Sequence, residues 1–432
     1  MAQLLPRSGA DRGRPKTILI LAMEPLFPKV RASQERIYRM AERLARDHTV
    51  DVATTVRDPV ELEQSREHLR AVCRAFHPIT PINPQGSQLR RKLRRAEYLL
   101  LHAPRHHPHH YFYGGHRRVT AQVADIVRQN RYDIVQAEYW YMAGVFEAID
   151  AGIFRAIDTH DVLFDKVRQE MARRHGDRLP ARERRAQAKY RALEIAHLEL
   201  ADLVISISAA DHETFIDLGL DAKTLLVPTG QDLDHFRARE PAERKDDVVL
   251  FYGNMGGRSN IDAFFRLWQD IFPSIKRAVP RARLLVVGAN PPDSIRRLDD
   301  GREVTVTGFV EDVRDHLARA KVAVIPLEVA AGFRGRVVEL MAMEIPLIGT
   351  HRALDCVQMQ PGVHGFVTDS DAEMADHAAR LLLDEDARVA MGSRCRALAM
   401  ARYSIDATIG KLSDYYLELP RPRDRQGPPS SR

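Results

Sequence analysis

Three charged side chains in one short stretch stand at a spacing that could do chemistry: Arg334, Arg336 and Glu339. They lie within Val322 to Thr350, which reads VAVIPLEVAAGFRGRVVELMAMEIPLIGT. A helix opening at Arg334 places the free N–H groups of its first turn beside two guanidinium groups. That combination favours an anion, and the planar forks suit phosphate oxygens. Glu339 stands at i+3 from Arg336, on the same helix side. Two cations and one carboxylate match a nucleoside diphosphate sugar, with charge for the diphosphate and an acceptor for ribose hydroxyls. The same spacing also describes an ordinary surface Arg–Glu pair, worth only about 0.2–0.5 kcal/mol.

The flanking residues build the unit that must position this group. Val322 to Leu327 is a continuous apolar run, as in a buried parallel strand, and Pro326 falls near its end, where a missing N–H is tolerable. A loop follows over Glu328 to Phe333. Arg334 to Met343 then carries Val337, Val338, Met341 and Ala342 at helical spacing. A second apolar run, Pro346 to Gly349, completes a βαβ.

The remainder repeats this alternation. Thr17 to Met23 is a buried strand, followed by the loop Glu24 to Arg31. Ser33 is the expected cap of the next helix, which runs to about Arg46 with Ile37, Met40, Ala41 and Leu44 on one face. Val50 to Ala53 is the next strand, so the chain opens as a Rossmann-like half. Its first loop, PKVRAS, holds no glycine, and Arg31 either supplies charge there or is a solvated cation. Tyr132 to Ala137 is a strand with Glu138, Tyr139, Trp140 and Tyr141 at its C-terminal end, where open α/β sheets collect ligands. Phe154 to Asp158 is another, followed by Thr159, His160 and Asp161. From Asp165 to about Leu200 the pattern is helical with both signs of charge interspersed, a solvated scaffold and not a nucleic-acid arm. Ala201 to Ser208 and Leu225 to Pro228 are strands. Val248 to Tyr252 opens a second series, with Gly253, Gly256 and Gly257 in its loop and Asn260 opening a helix. Leu284 to Gly288 and Val304 to Phe309 follow as strands, then a short helix over Asp312 to Ala320. After Thr350 come Gly365 to Thr368, Ala372 to Leu383 and a last helix from Tyr403 to Leu417.

Composition sets the outer limits. A chain of 432 residues holds two domains with two real cores, and 44% hydrophobic with 29% charged residues is ordinary for a globular protein. No apolar run reaches the length of a transmembrane helix, and the first residues, MAQLLPRSGADRGRPK, lack the apolar core of a secretory signal. Cys73, Cys356 and Cys395 show no metal spacing, so a reduced cytoplasmic setting is the expectation. The net charge of +6 favours anionic partners. The most basic stretch is GSQLRRKLRRAEYLLLHAPRHHPHHYFY, where Arg90, Arg91, Lys92, Arg94 and Arg95 surround leucines at helical spacing. It reads either as a solvated helix or as a segment for an anionic membrane surface, with peripheral binding to the inner face of the cell membrane. His106, His107, His109 and His110 flank Pro108 without helical spacing or an orienting carboxylate, so no metal is expected.

GFRGRVVELMAMEIPLIGT resembles the nucleotide-binding helix of retaining glycosyltransferases of the GT-B fold, in the group 1 (GT4) family. That pattern runs roughly Gly-Thr-Arg-x-Lys-x-x-Glu-Ala-Met-Ala-x-Gly-x-Pro-Val. Arg334 and Glu339 match it, and Arg336 takes the lysine position. The departures are Ala331, where many members carry a glutamate, Phe333 in place of a small residue, and Glu344 in place of glycine; the last two bear on the fit of the donor sugar. DTHDV resembles the family's Asp-x-His-Asp segment on the acceptor side. PTGQD, Pro228 to Asp232, resembles Pro-Asn-Gly-Val-Asp, departing at Thr229 and Gln231. VVLFYGNMGGRSN resembles the first loop of the donor domain.

The resemblance spans about Lys16 to Leu417 and implies an α/β chain of GT-B fold, two Rossmann-like domains facing a central cleft. The expected division is a disordered tail over 1–15, an acceptor domain over 16–232, a linker over 233–246 and a donor domain over 247–402. A helix over 403–418 would cross back to the first domain, ahead of a disordered tail over 419–432. The implied catalytic residues are His160, Arg334 and Arg336. Gly253, Asn254, Gly308, Phe309, Val310, Gly332, Phe333 and Glu339 would hold the donor. On the acceptor side stand Arg31, Glu138, Tyr139 and Asp161. The implied reaction moves a sugar from a nucleoside diphosphate sugar to an acceptor hydroxyl with retention, with no metal and no cofactor beyond that co-substrate. The arginines and the helix N-terminus would offset the leaving group's charge in a metal's place. No pair of carboxylates is placed for the double displacement of glycosidases. The acceptor would be a glycan, glycolipid or small molecule, with a role in surface polysaccharide or glycoconjugate synthesis, and no specific nucleic acid is implied. A sugar-nucleotide epimerase of the same fold and a non-catalytic GT-B-like binding protein remain as alternatives.

Overall fold

In a computed structural model the chain forms two compact units, Met1–Pro228 with Ile409–Arg432, and Thr229–Thr408. The structure describes residues 13–29, 31–80, 117–165, 167–168, 180–237, 246–329 and 333–420, with positions 92, 93 and 96. The basic segment around Arg90 to Arg95 and the histidine run at 106–110 therefore lie outside the described residues, apart from Lys92 and Leu93.

The first unit is built on a seven-stranded parallel sheet. Its strands are β1 (Thr17–Ala22), β2 (Thr49–Thr55), β3 (Ala75–Ile79), β4 (Ile134–Glu138), β5 (Phe154–Asp158), β6 (Leu203–Ser206) and β7 (Thr224–Leu226). Their order is β3-β2-β1-β4-β5-β6-β7. β1 is buried along nearly its whole length, as a continuous apolar run requires when helices cover both faces. The order reverses between β1 and β4, so the crevice beyond the C-terminal ends of these strands is the natural ligand position. β3 is the strand the sequence pattern missed. It is a half-exposed edge strand, AFHPI, whose proline and histidine break any apolar run.

Helix α1 (Ala32–Leu44) has Arg31 at its N-cap and starts two residues earlier than a Ser33 cap would allow. Gln34 takes the capping role instead: its Oε1 accepts the Arg31 N–H at 2.8 Å, while the Ser33 hydroxyl donates to Glu24 at 2.6 Å. Helix α2 (Ala181–Leu198) runs behind the loop that follows β5.

The second unit repeats the plan with six parallel strands: β8 (Val248–Tyr252), β9 (Arg283–Val287), β10 (Val304–Val306), β11 (Val322–Ile325), β12 (Leu347–Gly349) and β13 (Gly365–Val367). The order β10-β9-β8-β11-β12-β13 places the reversal between β8 and β11. The helix following β11 is α3 (Gly335–Ala342), and it buries Val337, Val338, Leu340, Met341 and Ala342. Beyond its C-cap, Met343, stands Glu344, whose φ of 56° is the left-handed conformation usual for glycine after a helix. Glu344 therefore occupies the helix terminus, and its departure from the family pattern acts on backbone strain at that end. Helix α4 (Glu385–Tyr403) packs close to this turn at Gly392, where a Cβ would meet the Glu344 carbonyl oxygen at 2.4 Å.

The expected linker begins at Leu233, but Leu233 is buried in the core of the second unit. The reason is local pairing: the Gln231 N–H donates to Tyr403 O at 2.9 Å, and Ile405 N–H donates to Gln231 O at 3.2 Å. The last helix, α5 (Ile405–Glu418), belongs to the first unit from Ile409 onward. There the Ser413 hydroxyl donates to Asp47 at 2.8 Å and Lys16 Nζ donates to Leu419 O at 2.6 Å.

Candidate active site

In the second unit the chemistry gathers where β8 and β11 part. Tyr252, the last residue of β8, donates its hydroxyl to Glu339 Oε2 on α3 at 2.8 Å. Burial raises the Glu339 pKa, opposed by the Tyr252 hydrogen bond and by Arg336. Arg336 Nη2 donates to Asn260 Oδ1 at 3.2 Å, and burial lowers its pKa. The guanidinium lies against Gly253, where a Cβ would stand 2.2 Å from Nη1. Glycine at 253 is thus required by the approach of Arg336. Asn254 shapes the loop beside it: its carbonyl accepts from Asn260 Nδ2 at 2.6 Å and its Oδ1 accepts the Gly256 N–H at 2.9 Å. Arg336, Glu339, Gly253 and Asn254 are therefore brought together, joined by Tyr252 and Asn260.

Other expected donor residues are placed differently. Arg334 caps α3, but its side chain is buried and already engaged. Nε donates to Ala353 O at 3.0 Å and Nη2 is paired with the Asp355 carboxylate. Its charge is matched inside the unit. Phe333 packs against the core and its ring faces Tyr403 with centroids 5.9 Å apart. Its bulk is directed at Tyr403, which is how a large side chain is accommodated where the family has a small one. Gly308 adopts a φ of 68°, Phe309 is 77% exposed, and Val310 packs on the core, so the Gly-aromatic turn holds an apolar ring in solvent. Gly332, together with Ala331, lies outside the described residues.

In the first unit His160 is the centre. It follows β5 with a φ of 58°, a conformation sustained only when its surroundings hold it. Its Nε2 meets Glu138 Oε2, at the end of β4, at 2.7 Å. The Tyr139 ring stacks on the imidazole at 4.2 Å and on the Tyr141 ring at 5.2 Å. Asp158, the last residue of β5, is paired with Arg36 of α1 at 2.8 Å, and its Oδ1 has no hydrogen-bond partner among the described residues. Burial alone would lower the His160 pKa, but the Asp158 and Glu138 carboxylates outweigh it and raise it. Burial and the neighbouring Asp158 raise the Glu138 pKa.

Glu138 was expected to contact an acceptor. It is instead fully buried, with one oxygen on His160 and the other accepting from Gln136 Nε2 at 2.8 Å. Glu138, Asp158 and His160 bring metal-ligand atoms within 4.8 Å of one another. Glu138 and His160 are nevertheless bonded to each other, and Arg36 already neutralises Asp158, so the group reads as a salt-linked network. Asp161, half-buried, starts the loop after His160. That loop is clasped by Glu194 of α2, whose carboxylate accepts the N–H groups of Leu163 at 3.0 Å and Phe164 at 2.7 Å. Arg31 is exposed and paired with Glu24 at 2.9 Å.

Sequence reasoning missed Tyr252, Asn260, Arg36, Asp158 and Glu194. Arg36 carried a signal: it stands at i+4 before Met40, a cation on the apolar stripe of α1. Tyr252 and Asp158 carried another, as polar residues closing apolar strands at their C-terminal ends.

Comparison with known proteins follows the division of the fold. Residues 32–230 match the family model "Glycosyl transferase 4-like domain" and residues 246–384 match "Glycosyl transferases group 1". The chain belongs to the group 1 glycosyltransferases of GT-B fold. It is 30% identical over 238 residues to a GDP-mannose-dependent alpha-(1-6)-phosphatidylinositol monomannoside mannosyltransferase of Mycobacterium tuberculosis, a match covering 50% of this chain and 61% of the relative. The chain thus matches less than two thirds of the length of that relative. Among solved structures, Anabaena HepE in complex with UDP is similar with a TM-score of 0.62 at 16% identity, covering 93% of this chain and 100% of that one. Sucrose-phosphate synthase from Thermosynechococcus elongatus has a TM-score of 0.60 at 18% identity, covering 93% and 98%. At these identities the likeness is one of fold.

Proposed function

We propose that this protein is a glycosyltransferase that uses a nucleoside diphosphate sugar and transfers its glycosyl unit to an acceptor hydroxyl with retention. The observation that carries the reading is the buried constellation at the switch point of the second unit. There Glu339 is held by Tyr252 one turn beyond Arg336, inside the family's nucleotide-binding pattern. Arg336 and the N-terminal N–H groups of α3 supply positive charge for a diphosphate. Glu339 supplies an acceptor for ribose hydroxyls, and the exposed turn at Gly308, Phe309 and Val310 is assigned to the base.

In the proposed step the bond from the anomeric carbon to the phosphate oxygen breaks and its electron pair leaves with the diphosphate. The acceptor oxygen bonds to the same face of that carbon, and its proton passes to the leaving phosphate oxygen. The positive groups named above act where a metal would otherwise stand, so the reaction is metal-independent in this reading. The M. tuberculosis relative is named for GDP-mannose and a phosphatidylinositol mannoside, which makes GDP-mannose the first donor to try and a glycolipid the first acceptor class. HepE, whose structure holds UDP, keeps UDP-sugars beside it. Among the described residues no helix is long and apolar enough to cross a membrane, so contact with a lipid-borne acceptor would be peripheral.

The test is equilibrium binding of UDP, GDP, TDP and ADP to the purified protein and to Glu339→Ala. The expected result is one nucleotide at micromolar affinity, about −8 kcal/mol, with most of it lost in the variant. Binding of all four weaker than millimolar overturns the reading and leaves the non-catalytic one. With the donor known, an inverted product anomer excludes retention, and loss of turnover in excess EDTA excludes metal independence.

A further inference from the structure

A chain of buried hydrogen bonds runs from the last helix to His160. The Tyr416 hydroxyl donates to Gln136 Oε1 at 2.8 Å, Gln136 Nε2 donates to Glu138 Oε1 at 2.8 Å, and Glu138 Oε2 meets His160 Nε2 at 2.7 Å. Tyr416, Gln136, Glu138 and His160 are all buried. They come from α5, β4 and the residues after β5, 280 positions apart at the extremes of the first bond. We propose that Tyr416 is a positioning residue for His160, acting through Gln136 and Glu138 so that the imidazole keeps its Nε2 proton on Glu138 and offers Nδ1 to a ligand oxygen. This rests on the glycosyltransferase reading for the ligand, a sugar or acceptor hydroxyl, but not for the geometry of the chain.

The direction of the bonds follows from the chemistry of each group. An ionised carboxylate only accepts, so Gln136 turns its amide nitrogen to Glu138 on β4 and its carbonyl to the Tyr416 hydroxyl, which donates. A carboxylate accepting from that nitrogen at one oxygen accepts the imidazole N–H at the other, which fixes the histidine tautomer. The tight stack of Tyr139 on the ring, and its own φ of 72°, leave the imidazole little freedom to rotate away. Among the described residues Nδ1 has no hydrogen-bond partner. The groups facing the imidazole are Glu138 from β4, Asp158 from β5 and Arg36 from α1. Two carboxylates and one guanidinium leave one negative charge in a dry site, and a second proton on His160 balances it. Nδ1 then carries a hydrogen and acts as a donor to the ligand oxygen. Removing the Tyr416 hydroxyl leaves Gln136 Oε1 buried without a partner, which favours turning of the amide and weakens its hold on Glu138.

The decisive measurement is the nitrogen NMR titration of histidine-labelled protein, with His160→Gln identifying the signal. In the wild type, Nε2 of His160 should stay protonated and the ring should titrate above the ordinary value of 6.5. Tyr416→Phe keeps the ring packing and should move the midpoint down by roughly half a unit, the order of one weakened hydrogen bond. Gln136→Leu should move it further in the same direction. Unchanged midpoints and nitrogen shifts in both variants would overturn the proposal. In parallel, release of nucleoside diphosphate from GDP-mannose or UDP-glucose should show kcat lowered several-fold in Tyr416→Phe with donor KM unchanged. A raised KM at constant kcat would count against it. If the wild type turns over neither donor, the glycosyltransferase reading fails for these donors, while the titration still decides whether Tyr416 positions His160.

Discussion

The Tyr252 hydroxyl donates to Glu339 Oε2 at 2.8 Å, joining the end of β8 to the middle of α3. A hydrogen bond to a buried charged group contributes about 1.5–3 kcal/mol, and here it also fixes the rotamer of the carboxylate assigned to ribose. Tyr252→Phe removes that donor and keeps the packing. The expected outcome is about a tenfold loss of nucleotide affinity, about 1.4 kcal/mol, against a larger loss in Glu339→Ala. Calorimetric titration with the nucleotide selected by the binding screen checks it. Wild-type affinity in Tyr252→Phe would remove Tyr252 from the site.

Two glycines in neighbouring loops of the second unit should behave in opposite ways. At Gly253 an added Cβ meets Arg336 Nη1, the movable end of a long side chain. At Gly288, where φ is 150°, it meets the Gly253 carbonyl oxygen at 1.9 Å, and only backbone can yield. Gly253→Ala should fold with nearly unchanged melting but lose nucleotide affinity as Arg336 is pushed aside. Gly288→Ala should be destabilised by about 2 kcal/mol or more. Thermal melting beside nucleotide titration separates them, and a normal affinity in Gly253→Ala would show that Arg336 does not touch the ligand.

The parts of this fold legible in the sequence are those written in local periodicity. β1 and β8 are almost wholly apolar runs, and Arg336 with Glu339 could be paired because a helix brings i and i+3 together. What escaped was pairing between elements. Glu138 and His160 meet because β4 and β5 are neighbours in register, Glu138 opposite Asp158, which spacing along the chain does not encode. Glu138 was assigned to an acceptor because a strand end shows where a residue lies but not which way it points. The partners of Arg334, Ala353 and Asp355, were hidden for a similar reason: they follow β12 and no local pattern links them to it.

Glu344 holds a φ of 56° directly after α3, where glycine is the usual residue. Its ion pair with Arg396 is long, at 4.0 Å, and partly exposed, so it contributes little. Glu344→Gly should relieve strain and raise stability by up to about 1 kcal/mol, offset in part by the freedom glycine gains in the unfolded chain. The reading is the melting midpoint, with nucleotide affinity expected to stay unchanged. A fall in stability would mean that the Arg396 contact outweighs the backbone strain.

Glu194 clasps the loop that begins at His160 and Asp161 by accepting the N–H groups of Leu163 and Phe164. Burial pushes its carboxyl up to about 8 from the ordinary 4.5, against the pull of those two hydrogen bonds. The folded state thus holds this proton more tightly than the unfolded chain does. The resulting stability is complete below pH 4.5 and is lost as the pH rises through about 8. Glu194→Gln carries no such proton. Relative to it, the wild type should lose stability on the order of 3 kcal/mol between pH 5 and pH 8, read as a fall of its melting midpoint relative to that of the variant. A gap between the two midpoints that stays constant over that range would mean Glu194 is ionised throughout and that the two backbone donors overcome its burial.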